Sequence, residues 1–386
     1  MGSLIIAFII GITEVSFSTN ISVWPKQIKF NYEPGNTNDA IYLKLDNYNF
    51  VPVPEWVKDT PPEKMAYIAG QSNRKIQVSF DSNCENMHLL INLTVTSGTG
   101  IGTICNYFIS NYHKLDFVTL TLSGSIPNSV GKRNYTWQWS IYAIPIDGGF
   151  CSASSLATTD HTYYTLISNP LAPMENPWTP LLDKACYWAS GQTNVTNTLI
   201  KITEGLYNHT GFLYNVVDGS ARYTINGTNG SFDLTTMLDE IGGYTIKVNC
   251  YDMGKALKTF SAALGCNTSY LFVQTFGYLN CIKAIGRGWS NNPFYEHPSY
   301  SKDMIVGEDD DEQVGRSKFN NHAFCQFNNL TFDACLKVDV DSDPDDDPHT
   351  ESWAYGWVWG TYKSNVVDNI PATSTSDPIS YNFSIY

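Results

Sequence analysis

Cys250 lies where a short β-branched run gives way to a helical pattern that begins at the cysteine itself. A helix N-terminus presents backbone N–H groups without helical acceptors and the positive end of the helix dipole, and both favour a thiolate. The chain has nine cysteines, so an oxidised chain would leave at least one thiol unpaired. Cys250 is therefore either a reactive nucleophile or a buried structural cysteine, and the residues that follow have to decide.

A histidine and an aspartate follow on what reads as a β-hairpin. His322 and Asp333 lie in two strand-like runs joined by Asn328-Asn329, a pair that tolerates the positive φ of a two-residue turn. In that register His322 is a diagonal neighbour of Asp333 on one face of the sheet, about 7–8 Å away at Cα. The turn chemistry thus predicts the register that a His–Asp pair requires.

Together these three residues indicate a thiol acyl-transfer site. The imidazole would accept the thiol proton and later protonate the leaving amine, while the carboxylate would orient the ring. Taken alone, His322 is more often a hydrogen-bonded strand histidine and Asp333 a turn or edge residue. The combination and its order along the chain favour catalysis.

The same residues resemble the pattern of the transglutaminase-like superfamily, whose core is papain-like. That pattern is a Cys opening a helix, Leu-Gly at its end, a strand, His-Ala-aromatic and aromatic-Asp-small, found here as Cys250, Leu264-Gly265, His322-Ala323-Phe324 and Phe332-Asp333-Ala334. The resemblance covers 243–341 well and 181–370 loosely. It implies that Cys250 is the nucleophile, His322 the general base and acid, and Asp333 the orienting residue. Asn249 departs from it, because many members have a small residue there, and the His-to-Asp gap is short.

Stabilisation of an oxyanion requires hydrogen-bond donors beside the nucleophile. The backbone N–H of Cys250 is one natural donor. The family also uses an upstream polar or aromatic residue near the oxyanion, for which Trp188 and Tyr214 are candidates.

Around these residues the sequence predicts an α+β fold. Residues 20–148 carry alternating or β-branched runs at 76–80, 88–95, 117–122 and 135–143, which predict an immunoglobulin-like β-sandwich. Residues 149–180 are predicted as a connector rich in Pro, Ser and Thr. Residues 181–386 are predicted as a papain-like, transglutaminase-like catalytic domain, with helices at 181–189, 194–206, 232–241 and from 250 to 264. The aromatic stretch 353–359 would line a groove or fill the core.

Bulk properties point outside the cytoplasm. The formal charge of −14 argues against nucleic acid and anionic membrane surfaces as partners. Residues 4–12 are apolar but too short to span a bilayer, and they predict a signal peptide over 1–19, with a buried first strand as the alternative. Ten Asn-x-Ser/Thr sequons support export. We therefore expect a secreted or surface-retained glycoprotein without a membrane span.

The remaining cysteines suggest disulfides. Their positions favour pairing Cys84 with Cys105, Cys151 with Cys186, and Cys266 with Cys281, whereas Cys325 and Cys335 point to opposite faces of the hairpin. Cys281 and Cys335 are the best rivals of Cys250 as the unpaired thiol, but neither opens a helix.

An acidic run follows the hairpin. Asp339, Asp341 and Asp343 either supply oxygen ligands to a Ca²⁺ ion or belong to a solvated acidic loop. No cysteine or histidine spacing typical of zinc occurs. The predicted chemistry requires no cofactor.

Two functions remain open from sequence. The first is an extracytoplasmic cysteine peptidase, amidase or acyltransferase acting on a protein, a peptide or a cell-surface polymer, with hydrolysis favoured over amine cross-linking. The second is a non-catalytic secreted or adhesion protein that keeps the fold as a scaffold.

Overall fold

The structure, a computed structural model, describes residues 22–33, 38–83, 86–113, 116–146, 153–300, 316–341, 349–368 and 374–386. The N-terminal strands are β1 Val23–Lys29, β2 Trp56–Val57, β3 Lys64–Ile68, β4 Lys75–Ser82, β5 Asn86–Gly98, β6 Ile104–His113, β7 Val118–Thr121, β8 Gly131–Pro145 and β9 Ala153–Leu166. The helices are α1 Thr179–Trp188, α2 Val195–His209, α3 Leu234–Glu240, α4 Cys250–Ala263 and α5 Trp359–Val366. The C-terminal strands are β10 Leu213–Tyr214, β11 Lys247–Val248, β12 Ser269–Val273, β13 Ile282–Ala284, β14 Trp289–Ser290, β15 His322–Phe327, β16 Leu330–Asp339, β17 Glu351–Val358 and β18 Ile379–Tyr381.

The N-terminal half consists of two β-sheets with a shared core. Strands in the order β2-β1-β4-β7 form one sheet, and strands in the order β3-β9-β8-β5-β6 form the other. Alternate residues of β8, including Trp137 and Trp139, are buried, as expected for strands with one apolar face. The strands predicted at 76–80, 88–95, 117–122 and 135–143 are confirmed. The immunoglobulin-like assignment remains a prediction.

The predicted connector at 149–180 is wrong over much of its length. Residues 153–166 form strand β9, which pairs with β8 on one side and with β3 on the other. The Thr residues of this segment contributed to the predicted connector, but both they and its Tyr residues are β-formers that fit a pleated sheet. The N-terminal sheet therefore extends to Leu166, and only a short stretch separates it from α1.

In the C-terminal half, helix α4 packs against an antiparallel sheet whose strands differ in length. The sheet order is β14-β13-β16-β15-β12-β18, and β17 also pairs with β16. A Cβ at Gly254 of α4 would lie 2.9 Å from the ring of Tyr270 and 3.4 Å from the backbone of Ala323, so the glycine allows the helix to approach the sheet closely. The helices predicted from sequence are confirmed, with ends within a few residues.

One hydrophobic core joins the two halves. Leu43, Val130 and Leu166 of the N-terminal half belong to the same buried cluster as α1, α2 and α4. At this junction Asp183 of α1 forms ion pairs with Lys64 and Lys132 at 2.6 and 2.7 Å. The sheet and the helices therefore pack as continuous parts of one body.

The predicted Cys266–Cys281 disulfide is wrong, because Cys266 is a free thiol. Cys266 lies just before β12, whose first residue Ser269 pairs with Gln326 near the turn of the β15–β16 hairpin. Cys281 lies just before β13, whose first residue Ile282 pairs with Val338 near the other end of β16. These ends of the sheet are roughly 20–25 Å apart along the strands, too far for a disulfide. The predicted Cys84–Cys105 and Cys151–Cys186 disulfides are also wrong, because Cys105 and Cys186 are free thiols; Cys84 and Cys151 themselves lie outside the described residues.

No helix in the described parts of the chain has the length and apolar character needed to span a membrane.

Candidate active site

Cys250 occupies the first turn of α4. Asn249 caps the helix by accepting the N–H of Asp252, and the Asp252 carboxylate accepts the N–H of Asn249 in return. Strand β11 ends at Val248, which pairs with Tyr214 of β10, and the next residue is the cap Asn249. Cys250 is only 3% exposed. The strand-to-helix junction predicted from sequence is confirmed.

The hairpin that carries His322 and Asp333 has the predicted register. Cys325 pairs with Phe332, and Phe327 pairs with Leu330. Asn328 and Asn329 form the turn with φ of 49° and 62°, the positive values that the turn type requires. Turn chemistry that is readable from sequence therefore sets which side chains share a face with Asp333.

His322 and Asp333 form a buried hydrogen-bonded pair. His322 Nε2 lies 2.7 Å from Asp333 Oδ2, and both side chains are at most 1% exposed. The other ring nitrogen, Nδ1, is buried and has no hydrogen-bond partner among the described residues. Nδ1 is thus the nitrogen left to act on a second group.

The electrostatics of the pair stabilise the protonated ring. Burial would lower the pKa of His322, but the charge of Asp333, its hydrogen bond and then the Cys250 side chain raise it to about 10. The Cys250 sulfur is therefore close enough to influence the pKa of the imidazole, although no well-formed hydrogen bond joins the two side chains. Long catalytic hydrogen bonds are common before a substrate binds.

The Asp333 carboxylate accepts two further hydrogen bonds. Tyr362 of α5 donates its hydroxyl to Oδ2 over 2.6 Å, and the N–H of Cys335 donates to Oδ1 over 2.7 Å. The pairing of β16 with β17 shifts register between Phe332 and Lys337, which marks a bulge at this point. Tyr362 was missed from sequence, because nothing in the sequence around it indicates contact with a distant strand.

Two phenylalanines hold the imidazole ring. The Phe319 ring stacks on His322 with an 11° interplanar angle and centroids 5.3 Å apart. The Phe276 ring lies 4.8 Å from it in a tilted arrangement. These apolar contacts fix the plane of the ring and exclude water from it. Both residues come from loops that sequence patterns did not assign to the site.

Of the two candidates for an oxyanion residue, only Tyr214 lies near Cys250. Burial and then the charge of Cys250 raise the pKa of Tyr214 well above its usual value, so its hydroxyl remains a proton donor. Trp188 instead stacks on Phe260, ten residues further along α4. The structure does not bring Trp188 to the nucleophile.

Cys335, one rival thiol, lies behind the site. Its sulfur is 3.8 Å from the Asn249 carbonyl oxygen, and its side chain is fully buried. Burial and then the charge of Asp333 raise the pKa of Cys335 well above its usual value. A thiol in these surroundings is a poor nucleophile.

Of the predicted calcium ligands, Asp339 is hydrogen-bonded within the protein. The Asp339 carboxylate accepts hydrogen bonds from the His349 ring and from the N–H groups of Thr350 and Asp341. Asp343 lies outside the described residues. The described parts of the chain contain no group of three His, Cys, Asp or Glu residues arranged to hold a metal ion. The Ca²⁺ site remains a prediction.

In chemical terms the site is a thiol beside an oriented imidazole. Asp333 holds the Nε2 side of the ring, and Nδ1 is directed at no other acceptor, so it can exchange a proton with Cys250. Cys250 is the first residue of helix α4, so its backbone N–H has no acceptor within the helix. These groups supply a nucleophile, a base with its orienting carboxylate, and an oxyanion donor.

Comparison with known proteins gives little beyond this geometry. No protein-family model matches the sequence, and a comparison with curated proteins gives no match. Among solved structures the chain is similar to the transglutaminase of red sea bream, with 12% identity and a TM-score of 0.32. The match covers 71% of this chain and 47% of that one, so the chain spans about half the length of the fish enzyme. At this TM-score the two structures share too little for one to define the other, and function has to be inferred from the site itself.

Proposed function

We propose that this protein is a thiol enzyme that cleaves or transfers acyl groups at amide bonds. Cys250 is the nucleophile, His322 the general base and acid, and Asp333 the residue that orients the imidazole. The observation that carries the proposal is the buried 2.7 Å pair of His322 Nε2 and Asp333 Oδ2, in which Nδ1 has no partner among the described residues and lies beside the cysteine that begins helix α4.

The reaction follows from which ring nitrogen is engaged. His322 Nδ1 already holds the proton taken from the thiol when the Cys250 sulfur attacks the amide carbonyl carbon, and the Cys250 N–H and the Tyr214 hydroxyl donate to the oxyanion. Collapse of the tetrahedral intermediate breaks the C–N bond, and the imidazolium protonates the departing amine. A thioester on Cys250 remains. Water or a second amine, deprotonated by His322, then releases the acyl group and restores the thiol.

We favour water as the acceptor and a protein or peptide as the substrate. A peptide bond presents the carbonyl and the leaving amine that this arrangement serves. A cell-surface polymer with amide bonds is the second substrate class. No step calls for a cofactor.

We place the activity outside the cytoplasm. The proposal rests on the apolar N-terminal run, which lies outside the described residues, and on the sequons. The sequon asparagines within the described residues are exposed, except for half-buried Asn92, so glycans would meet no packed surface at the exposed sites. The test is secretion of a tagged full-length chain and the loss of mass on treatment with an N-glycosidase.

Activity assays with the full-length chain test the reaction. We expect release of new amino termini or ammonia from a mixed protein substrate, and Cys250→Ala should lower the rate at least about a thousandfold. A fluorescent primary amine added to the same reaction measures transfer. Cys335→Ala is the matched control, because it removes a neighbouring buried thiol that the mechanism does not use. Equal activity of the wild type and Cys250→Ala would contradict the proposal.

Burial of the triad favours a second candidate, a non-catalytic surface protein. Cys250 is 3% exposed and His322 is fully buried, so the site as it stands admits no large substrate. If that state persists in solution, the folded protein should resist iodoacetamide at Cys250. Rapid alkylation at Cys250 would exclude this alternative.

A further inference from the structure

A second thiol, imidazole and carboxylate lie together at the far end of strand β16. The Cys281 sulfur is 3.8 Å from Nε2 of His349, and Nδ1 of His349 is 2.6 Å from Oδ2 of Asp339. The three residues repeat the chemical order of the first site with different members. They lie at most about 20 Å from Asp333, which precedes Asp339 by six residues on the same strand.

The Asp339 carboxylate is held in place on its other oxygen. Oδ1 accepts the N–H of Thr350 over 2.8 Å and that of Asp341 over 3.3 Å. With Oδ2 accepting from Nδ1 of His349, the ring tautomer that fits leaves the Nε2 lone pair directed toward Cys281. The Trp289 ring, whose centroid lies 4.5 Å from that of the imidazole, packs against His349.

Strand pairing explains why these residues meet. Cys281 directly precedes β13, whose first residue Ile282 pairs with Val338, and Asp339 follows Val338 at the end of β16. His349 lies two residues before β17, whose first residue Glu351 pairs with Asp339. Three neighbouring strands, β13, β16 and β17, therefore bring the cluster together at one end of the sheet.

Burial limits what can reach this cluster. Cys281 is fully buried, Asp339 is 1% exposed, and the His349 side chain is 4% exposed. A peptide segment cannot reach a thiol in such a position, so the reagent for this cluster has to be a molecule of a few atoms. Cys266 is an internal reference, since it is also buried, and burial raises its pKa to about 12.

We propose that Cys281, His349 and Asp339 form a second reactive-thiol site, which takes small electrophiles and is oxidised by peroxides to a sulfenic acid. The Cys281 sulfur, 3.8 Å from the His349 ring, attacks one oxygen of hydrogen peroxide, breaks the O–O bond and releases its thiol proton. Sulfur loses two electrons, the peroxide is reduced, and the departing hydroxide takes the proton to leave as water. This inference does not depend on the proposed amide chemistry, which uses none of these three residues.

The experiment exposes the folded full-length protein to hydrogen peroxide and traps sulfenic acids with dimedone. Peptide mapping by mass spectrometry then gives the labelling rate at each cysteine. We expect labelling at Cys281 at least about tenfold faster than at Cys266, and a fall toward the Cys266 rate in His349→Gln. Cys250→Ser should leave the Cys281 rate unchanged, which separates this site from the first.

Two results would overturn the proposal. One is labelling at Cys281 in the wild type that is no faster than at Cys266. The other is an undiminished Cys281 rate in folded His349→Gln. Should that variant fail to fold, the comparison of the two cysteines within the wild-type chain still decides.

Discussion

At the scale of single residues, three hydrogen bonds fix the position of the Asp333 carboxylate. It accepts hydrogen bonds from the His322 ring, the Tyr362 hydroxyl and the Cys335 N–H. A buried carboxylate needs such donors, because an unpaired buried charge is costly. Burial and then the charge of Asp333 raise the pKa of Tyr362 well above its usual value, so this hydroxyl stays protonated.

Tyr362 is therefore expected to position the carboxylate without touching the substrate. Tyr362→Phe removes one hydrogen bond to a charged group, which should lower the free energy of unfolding by about 1.5–3 kcal/mol. It should also slow alkylation of Cys250, because His322 loses its fixed orientation. Tyr355→Phe is the control, since its hydroxyl donates to Glu204 over 2.8 Å instead. If both variants alkylate at the wild-type rate, Tyr362 has only a structural role.

The pKa of His322 links the site to stability. The folded-state pKa of about 10 exceeds the value of about 6.5 for an exposed histidine. Between pH 6.5 and 10 the native state thus binds more protons than the unfolded state, and the free energy of unfolding falls as pH rises. Urea titrations at pH 7 and pH 9.5 should show this loss in the wild type and a smaller one in His322→Gln. An equal loss in both proteins would contradict the assignment.

At the scale of elements, the N-terminus of α4 is fixed by the buried Asp252. Its carboxylate accepts the N–H groups of Arg222, Tyr223 and Thr224 in addition to that of Asn249. One side chain thereby ties the preceding loop to the first turn of the helix. This arrangement sets where the Cys250 sulfur points.

The cap should matter for reactivity as well as stability. Asn249→Ala removes the side-chain cap and a hydrogen bond to the Gly219 carbonyl oxygen, at a cost of about 1–2 kcal/mol. Asn194→Ala removes an equivalent cap, a 2.9 Å bond to the Asn197 N–H, from α2. Both should lower stability in urea titrations, but only Asn249→Ala should slow the reaction of Cys250 with iodoacetamide. A similar effect of both variants on that rate would show that the cap does not position the thiol.

The β15–β16 turn gives a test of register. Because Asn328 and Asn329 both have positive φ, changing both to Ala should destabilise the protein by roughly 2–4 kcal/mol, whereas changing both to Gly should be nearly neutral. Inserting one glycine within β16, between Thr331 and Phe332, would move Asp333 to the face of the sheet opposite His322 and abolish activity. Retained activity in the insertion variant would contradict the role of the register.

Sequence reasoning reached the elements whose signals are local. The capped start of α4, its glycine end and the Asn-Asn turn follow from preferences of a few adjacent residues. Tyr362, Phe319 and the strand at 153–166 did not emerge, since their places depend on contacts with distant segments. Tyr214 and Trp188 were both predicted as oxyanion residues from the family resemblance. Tyr214 lies near Cys250, whereas Trp188 does not. Tertiary packing decides such positions, and no local pattern records it.

At the scale of the whole molecule, the N-terminal sheet and the helical half share one buried core. The Tyr164 hydroxyl of β9 donates to Asp183 of α1 over 2.7 Å, and two lysines from the sheet pair with the same carboxylate. The site helix α4 packs on α1, so the N-terminal half supports the site indirectly. Removing that half would expose apolar surface of α1.

We therefore expect one cooperative unfolding transition. Urea titrations followed by tryptophan fluorescence and by far-UV circular dichroism should give coincident curves, because residues of the N-terminal half complete the core around α1, α2 and α4, although the two N-terminal sheets also enclose a core of their own. The tryptophans of β8 and those of β17 report on the two halves separately. Two resolved transitions would show that the halves fold independently.

The central claim is that Cys250 is an activated thiol held beside His322. Its most direct test is the rate at which iodoacetamide modifies Cys250 in the folded chain, followed by peptide mapping, in the wild type and in His322→Gln. The account predicts that Cys250 reacts faster than buried Cys266 by at least about tenfold and that His322→Gln removes most of this advantage. Slow modification of Cys250 in the wild type, or a rate that His322→Gln leaves unchanged, would contradict it.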